Sequence, residues 1–349
     1  MKFNQRIKIK NKAIGEDEPC FVIAEIGANH DQKVDQGKKL IDAAFKAGVD
    51  AVKFQSFTVE NWLSKNMTYF PTMAKSKNLA KDLKKCELPV KMYKIFQDYA
   101  DKKGLICFSA PSHITDVDNL KKMNVPMYKL GSVQITDLPT IKYAATKKKP
   151  IILSTGASNL KEIEDALKTI YETGNKNLAL LHCTVQYPTP FEQVNLRAMI
   201  TLKNIFNVPV GYSDHTLDPV AVPSAAVALG AKIIEKHITL NRKLPGPDHR
   251  FALEPDELSL MVKAIRNTEK ILGTDKKTLL NEEKEIIKLG RRSIIARIDI
   301  PSGTIVSEKM LTLKRPGFGI APKFISKVVG RRASKNIYQD DLINWSALK

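Results

Sequence analysis

Short apolar runs recur along most of the chain and alternate with longer amphipathic segments. The runs predict eight buried strands, at 21–26, 51–55, 105–109, 127–130, 151–154, 178–182, 208–212 and 232–235. Most of the segments between them have a helical period, as at 33–47, where Gly48 ends the predicted helix. Eight strand–helix units favour a closed (β/α)₈ barrel, an α/β fold of the TIM type. An open doubly wound sheet is the alternative, but no glycine-rich GxGxxG turn follows the first strand.

The pattern changes near the end of the chain. A charged, helical linker at 276–290 leads into short strand-like pieces with turn signals, such as those at Pro301 and Gly317. We therefore predict a barrel domain at 1–275 and a small β-rich domain at 291–349. This tail carries twelve basic and four acidic residues, a net charge of +8. It is too small to hold a catalytic cleft alone.

Composition narrows the classes of protein that fit. The net charge is +19, but the lysines are dispersed over predicted helix surfaces without an aromatic–basic platform, so nucleic acid is not an expected partner. No apolar run reaches the roughly 18–20 residues that span a bilayer, and the first residues lack a signal-peptide stretch. We expect a cytoplasmic protein without membrane association. The four cysteines have no zinc-binding spacing and are expected to be buried, reduced thiols.

Polar residues follow most of the predicted strands, where a buried strand would otherwise avoid them. They are Glu25, Lys53, Gln55, Lys129, Ser132, Ser154, Tyr187, Ser213, His215 and His237. Because the carboxyl ends of barrel strands meet at one rim, these side chains predict a single site. Two lysines and three serines there suit a phosphate and a carboxylate. Ser154 alone would fit the N-cap of the following helix equally well.

Two histidines at neighbouring strand ends suggest a divalent metal site. His215 and His237 flank a small-residue helix predicted at 221–231, so strand, helix and strand bring them to one rim. Either one alone would more often be a hydrogen-bonded core residue. Two imidazoles are fewer than a structural zinc site needs, so open positions for water or substrate are expected. The oxygen-rich surroundings favour Mn²⁺ or Mg²⁺, with Glu25 either completing the shell or acting as a base.

The segments that carry these residues resemble the sialic acid synthase (N-acetylneuraminate synthase) family. They are AEIGANH (24–30), VKFQ (52–55), KLGS (129–132), LSTG (153–156), YPTP (187–190), GYSDHT (211–216), EKH (235–237) and PGPDH (245–249). In the tail, KRPGFGI (314–320) resembles that family's C-terminal antifreeze-like (SAF) domain. The similarity runs through nearly the whole chain in the same order.

The resemblance implies a specific reaction. Phosphoenolpyruvate would condense with an N-acetylated amino sugar to give a nine-carbon 2-keto-3-deoxy acid and phosphate, with cleavage of a C–O bond. The sugar would be N-acetylmannosamine or a 6-deoxy-diacetamido sugar. The resemblance also implies a divalent metal, usually Mn²⁺ with Mg²⁺ or Co²⁺ as alternatives. It further implies a homodimer in which each antifreeze-like domain covers the partner's barrel as a domain-swapped lid.

Match of position to the family implies a role for each site residue. The phosphoenolpyruvate-binding residues would be Lys53, Lys129, Ser132, Ser154 and Ser213. The sugar would meet Gln55, Tyr187, Glu235 and Asp248, and Arg315 would reach its N-acetyl group from the tail. His215 and His237 would hold the metal, and Glu25 would guide the attacking water.

Some positions depart from the family pattern. Ala110, Gln134 and Val185 stand where the family usually has a hydroxyl, a carboxylate, and Asn or Ser, and residues 67–83 are expected to line the sugar pocket. One rival interpretation is a barrel enzyme that makes a 3-deoxy sugar acid from a phosphorylated aldose, without such a tail. Another is a non-catalytic carbohydrate- or ice-binding protein, although an ice-binding face should be poorly charged, unlike this tail.

Overall fold

A computed structural model describes residues 1–67, 69 and 78–349 of the chain. These residues form two compact units, Met1–Gly273 and Thr274–Lys349. In the described part of the chain, no helix combines the length and the apolar character that a membrane crossing requires.

The first unit is a closed barrel of eight parallel strands. The strands are β3 (Phe21–Gly27), β4 (Ala51–Ser56), β5 (Ile106–Pro111), β6 (Tyr128–Leu130), β7 (Ile151–Ser154), β8 (Leu178–His182), β9 (Val210–Asp214) and β10 (Ile233–His237). Each strand pairs with the next in sequence, and β10 pairs with β3 to close the barrel. The predicted (β/α)₈ barrel is confirmed, and closure excludes the open sheet.

Helices follow the barrel strands in sequence. They are α1 (Val34–Ala47), α2 (Val59–Trp62), α3 (Leu79–Lys84), α4 (Val90–Lys102), α5 (Ile114–Lys122), α6 (Leu138–Thr146), α7 (Leu160–Glu172), α8 (Arg197–Phe206), α9 (Ala221–Ala228) and α10 (Pro255–Leu272). Helix α1 ends at Gly48, which has φ 80° and donates its N–H to carbonyls of the last turn. Helix α9 is shorter than predicted, because Leu229 and Gly230 leave the helical conformation.

Alternation along the strands divides the core into two layers. Val22 and Ala24 point outwards and pack against α1 and its neighbours, whereas Phe21 and Ile23 point into the barrel. An antiparallel hairpin, β1 (Ile7–Ile9) and β2 (Lys12–Ile14), adds its isoleucines to the inner layer. The hairpin therefore closes the end of the barrel at which the strands begin. The opposite end is left for polar side chains.

The second unit is small and rich in strands. Helix α11 (Glu283–Gly290) precedes a hairpin of β11 (Ser293–Ala296) and β12 (Leu311–Lys314), and helix α12 (Ile325–Val328) follows. Isolated bridges, such as that between Ile300 and Ile337, extend the pairing. A separate apolar core, which includes Ile294 and Ile343, holds this unit together. The predicted β-rich tail is confirmed.

Candidate active site

One cavity of about 440 Å³ opens at the carboxyl ends of the barrel strands. All twelve site residues that the sequence predicts within the barrel line it: Glu25, Lys53, Gln55, Lys129, Ser132, Ser154, Tyr187, Ser213, His215, Glu235, His237 and Asp248. Arg315, the thirteenth, belongs to the second unit, in the loop that follows β12. The barrel residues among them come from seven strands or the loops that follow these strands, and they line a single cavity.

Two lysines and two glutamates form a buried charge cluster at the floor of this cavity. Lys53 Nζ lies 3.1 Å from Glu25 Oε2 and 3.3 Å from Glu235 Oε1. Lys129 Nζ lies 3.6 Å from the same Glu235 oxygen. The second oxygen of Glu235 is buried without a hydrogen-bond partner among the described residues. This orphaned acceptor indicates a site built to receive a further donor.

Burial and neighbouring charges shift the pKa values of this cluster in opposite directions. Burial raises the pKa of Glu25 to about 7, although Lys53 opposes the shift. Burial also acts to raise the pKa of Glu235, but Lys129 and Lys53 outweigh it and hold that pKa below its ordinary value. The pKa of Lys129 is lowered by burial. Because their pKa values are separated, Glu25 is suited to proton transfer and Glu235 to carrying a fixed negative charge.

Hydroxyl groups surround the two lysines. Lys129 Nζ donates to Ser154 Oγ at 2.6 Å, and Ser213 Oγ donates to Glu235 Oε1 at 3.1 Å. Ser132 Oγ accepts from the N–H of Gly156 at 3.0 Å. Cations and directed donors thus converge on one side of the cavity, which is the arrangement that an oxyanion requires.

The two histidines meet above this cluster. Their ring centroids are 5.8 Å apart, and β9 and β10 pair in parallel just below them. His215 Nδ1 donates to the carbonyl oxygen of Thr184 at 2.7 Å, so Nε2 is left as the acceptor nitrogen. Burial lowers the pKa of His215 to about 4 and that of His237 well below its ordinary value. Both imidazoles are therefore neutral at physiological pH.

Neutral imidazoles are the form that binds a metal ion. His237 Nδ1 is buried without a hydrogen-bond partner among the described residues, and it lies 3.8 Å from Asp248 Oδ2. Within 1–67, 69 and 78–349, however, no group of three His, Cys, Asp or Glu side chains is arranged to hold an ion. The two imidazoles would therefore be the protein ligands of an ion at this place, and its other positions would be open to water or substrate.

An aromatic wall faces the histidines. The ring of Tyr187 lies 4.1 Å from that of His215 and 4.8 Å from that of Phe251, between centroids. Phe251 in turn lies 4.9 Å from the ring of His237. Phe57 and Trp62 stand elsewhere on the lining, 5.0 Å apart. The cavity therefore combines a charged floor with apolar walls, as small-molecule sites usually do.

Several residues that shape the site escaped sequence reasoning. Gly27 has φ +52°, and a Cβ there would lie 2.9 Å from Asp248 Oδ2 and 3.2 Å from Glu25 Oε1. It follows a register shift in the pairing of β3 with β4. Its place in the AEIGANH segment, two residues after Glu25, was the available signal. The sequence gives no signal for the other two features. Phe251 resembles any apolar core residue, and the Thr184 carbonyl belongs to the backbone.

The three departures from the family pattern also line the cavity. Gln134 accepts from the Gly131 N–H at 3.1 Å and donates to the Pro111 carbonyl at 3.2 Å, a donation that a carboxylate could not make. Val185 is 37% exposed. Its Cγ2 would lie 2.7 Å from a Cβ if residue 156 were not glycine. Ala110 stands on the lining at the end of β5. Of the predicted sugar-pocket stretch at 67–83, residues 68 and 70–77 lie outside the described residues.

The four cysteines and the histidine of the AEIGANH segment, His30, are all buried. All four cysteines are buried and unpaired, as expected. His30 does not line the cavity: it is fully buried beside the stacked rings of Phe54 and Phe96. Its Nδ1 accepts from the N–H of Gln32 at 3.0 Å. His30 is therefore a core residue in this fold.

The barrel and its cavity have the architecture of a TIM-barrel enzyme, with lysines, carboxylates and imidazoles at the carboxyl ends of the strands. The chain belongs to the NeuB family, whose model matches residues 40–277, and residues 291–349 match the SAF domain. The match to the SAF domain covers the predicted tail.

Relatives extend over almost the whole chain. An uncharacterised protein of Methanocaldococcus jannaschii is 42% identical, with 99% of each chain covered. N,N'-diacetyllegionaminic acid synthase of Campylobacter jejuni is also 42% identical, covering 93% of this chain and 98% of its own. The crystal structure of N-acetylneuraminic acid (sialic acid) synthetase from Leptospira borgpetersenii, in complex with citrate, is 33% identical with a TM-score of 0.74. It covers 82% of this chain and 96% of its own.

Proposed function

We propose that this protein condenses phosphoenolpyruvate with an N-acetylated amino sugar, giving a nine-carbon 2-keto-3-deoxy acid and phosphate. The observation that carries the proposal is the buried cluster of Lys53, Glu25, Glu235 and Lys129 in the cavity of a NeuB-family barrel. Relatives named legionaminic acid synthase and sialic acid synthetase support this type of product.

Phosphoenolpyruvate would occupy the side of the cavity where cations and hydroxyl groups converge. Lys53 and Lys129 supply two positive charges that are already desolvated, so their attraction for a trianion is stronger than it would be in water. Ser132, Ser154 and Ser213 add directed donors. Binding would draw the lysines partly away from Glu235. The same lysines and hydroxyl groups would later stabilise the negative charge of the departing phosphate.

The amino sugar would lie between the charged floor and the aromatic wall. We assign Gln55, Tyr187, Glu235 and Asp248 to its hydroxyl groups, and the support for this assignment is that all four line the cavity. We assign Arg315 to the N-acetyl group, with the SAF domain of one protomer acting as a lid on the barrel of its partner in a homodimer. The support for this assignment is the match of Arg315 to the family motif.

His215 and His237 would hold a divalent ion, Mn²⁺ ahead of Mg²⁺ or Co²⁺, and their neutral state favours this role. When bound, such an ion supplies Lewis-acid polarisation of the sugar aldehyde. The histidines would also orient the aldehyde carbon towards C3 of phosphoenolpyruvate.

The condensation forms one C–C bond and breaks the C2–O bond of phosphoenolpyruvate. C3 of phosphoenolpyruvate bonds to the aldehyde carbon, and the aldehyde oxygen takes a proton. Water adds at C2, and the C2–O bond to phosphate breaks while the new C2 hydroxyl becomes a carbonyl. With a pKa of about 7, Glu25 can take one proton from water and pass it to the aldehyde oxygen. The other proton leaves with phosphate.

We favour a diacetamido sugar over N-acetylmannosamine as the acceptor. The identity of 42% to the diacetyllegionaminic acid synthase supports this choice. Val133, Val185, Trp62 and Phe57 add apolar surface to the lining, which suits methyl groups better than extra hydroxyls.

The test is release of phosphate from phosphoenolpyruvate with Mn²⁺ across three acceptors: N-acetylmannosamine, a 6-deoxy-diacetamido sugar and arabinose 5-phosphate. Release with an N-acetylated sugar supports the proposal and identifies the acceptor. Release with the phosphorylated pentose alone would assign the protein to the rival class of barrel enzymes. No release with any sugar would contradict the proposal.

A further inference from the structure

A second ion pair lies directly beneath the two histidines, on the outer face of the barrel wall. Lys236 Nζ is 2.7 Å from Asp214 Oδ2, and both side chains are almost fully buried. The same ammonium donates to the carbonyl oxygens of Thr216 at 2.6 Å and Asp218 at 3.1 Å. None of these residues lines the cavity. Their charges therefore do not serve substrate directly.

Strand register places this ion pair at a defined step below the site. In the pairing of β9 with β10, Glu235 faces Ser213 and Lys236 faces Asp214. The first pair is joined on the inner face by the Ser213–Glu235 hydrogen bond, and the second on the outer face by the ion pair. The next residues along the two strands are His215 and His237. The two strands are thus fixed on both faces immediately before the histidines.

The loop that carries His215 is held by the same groups. Asp214 Oδ1 accepts from the N–H of Thr216 at 2.8 Å, so it braces the residue on the far side of His215. Asp218 Oδ2 accepts from the N–H of Val222 at 2.7 Å and so fixes the start of α9. Lys236 connects both of these positions through the Thr216 and Asp218 carbonyls. The backbone of His215 consequently has little freedom.

We propose that Lys236 and Asp214 are positioning residues that set the imidazole of His215 against that of His237. A buried ion pair contributes little net stability, since desolvation offsets most of its Coulomb attraction. An apolar pair of similar volume would often fold as well, so stability alone does not account for charges at this place. An apolar pair cannot accept a hydrogen bond from the Thr216 N–H, and it cannot donate to the carbonyl oxygens of Thr216 and Asp218. The part of this inference that concerns a metal ion rests on the proposed function.

The test compares the wild type with the double variant Asp214→Leu/Lys236→Met, which removes both charges together. A single substitution would leave one buried charge unpaired and could prevent folding. Affinity for Mn²⁺ alone is measured by calorimetry, and the imidazole nitrogen resonances of His215 are followed by ¹⁵N NMR. We expect the affinity to fall about 10–100-fold. We also expect His215 to change from one Nδ1–H tautomer to a mixture, while the KM for phosphoenolpyruvate changes less than about twofold, because the pair does not contact that side of the cavity.

Arg266→Met is the matched control. Arg266 lies 3.0 Å from the buried Asp50, which precedes β4 at the opposite end of the barrel and keeps Lys12 as a second partner when Arg266 is replaced. The Arg266→Met substitution should lower the stability of the protein without changing its Mn²⁺ affinity or the His215 tautomer. Two results would overturn the inference. One is a folded double variant with the Mn²⁺ affinity and the His215 tautomer of the wild type. The other is a loss of Mn²⁺ affinity and of the single tautomer in Arg266→Met that equals the loss in the double variant.

Failure of the proposed function looks different from failure of this inference. A wild type that binds no Mn²⁺ and releases no phosphate would count against the proposed function. The tautomer comparison would still decide whether Lys236 and Asp214 position His215, because it needs neither metal nor substrate.

Discussion

Lys53 Nζ lies 3.1 Å from Glu25 Oε2 at the floor of the cavity, where both side chains are almost completely buried. The ammonium opposes the effect of burial on the carboxyl group and leaves its pKa at about 7. A carboxyl group so placed can both accept and release a proton near neutral pH. This relationship is the basis of the role that we assign to Glu25.

Glu25→Gln should therefore reduce kcat by about 10²–10⁴-fold, the usual contribution of a general acid–base group. Gln keeps the size of the side chain and can still contact Gln55, which donates to Glu25 Oε1 at 3.0 Å in the wild type. The KM for phosphoenolpyruvate should change little. Steady-state kinetics check this, and a kcat within a few fold of the wild type would rule out the proton-transfer role.

His237→Ala should abolish both turnover and Mn²⁺ binding, because it removes one of the two imidazoles that line the cavity in the described part of the chain. His113→Asn is a suitable control, since His113 caps helix α5 outside the cavity and Asn can replace it as a cap. Calorimetry with Mn²⁺ and phosphate-release assays give the two readouts. Activity close to that of the wild type in metal-free buffer would contradict the metal assignment.

Arg315→Ala should leave the protein folded while sharply weakening use of the sugar. Loss of a hydrogen bond from a charged donor costs about 1.5–3 kcal/mol, which is roughly 10–100-fold in kcat/KM for the sugar. The KM for phosphoenolpyruvate should stay the same. Arg297→Ala, at another exposed arginine of the tail, should have no effect on either substrate. An unchanged rate and sugar KM for Arg315→Ala would argue against the tail as a lid.

His30 should make the protein sensitive to acid. Burial lowers its pKa to about 4 from an ordinary value near 6.5, so the folded state resists protonation more than the unfolded state does. The stability linked to this group is complete above pH 6.5 and is lost as the pH falls towards 4, up to about 3 kcal/mol.

His30→Asn tests this effect, because Asn offers an acceptor near the place of Nδ1 and does not titrate. The difference in free energy of unfolding between wild type and variant, measured by denaturant titration, should shrink as the pH falls from 7 to 4. A difference that stays constant over that range would show that His30 is not protonated on unfolding.

Residues with a regular period or a fixed place after a strand could be predicted from the sequence. The barrel strands are short apolar runs buried on both faces, so both their number and the polar residues at their ends were visible. Pairs such as Glu25 with Lys53 followed, because all strand ends share one rim.

Other features depend on atoms or angles that residue types do not reveal. The hairpin of β1 and β2 has strands of only three residues, too short for a clear alternation. Lys236 follows Glu235 in sequence but points to the opposite face, so its partners emerge only with the β9–β10 register. The positive φ of Gly27 and the hydrogen bond from His215 to a backbone carbonyl are likewise invisible in residue types.

The most direct test of the central claim uses phosphoenolpyruvate labelled with ¹⁸O in the bridging C–O–P position. The labelled compound is incubated with the wild-type protein, Mn²⁺ and the preferred N-acetylated sugar, and both products are analysed by mass spectrometry. C–O cleavage predicts that the heavy oxygen leaves with phosphate and that a nine-carbon acid forms in equal amount. Heavy oxygen retained in the acid, or phosphate released without any nine-carbon product, would contradict the account.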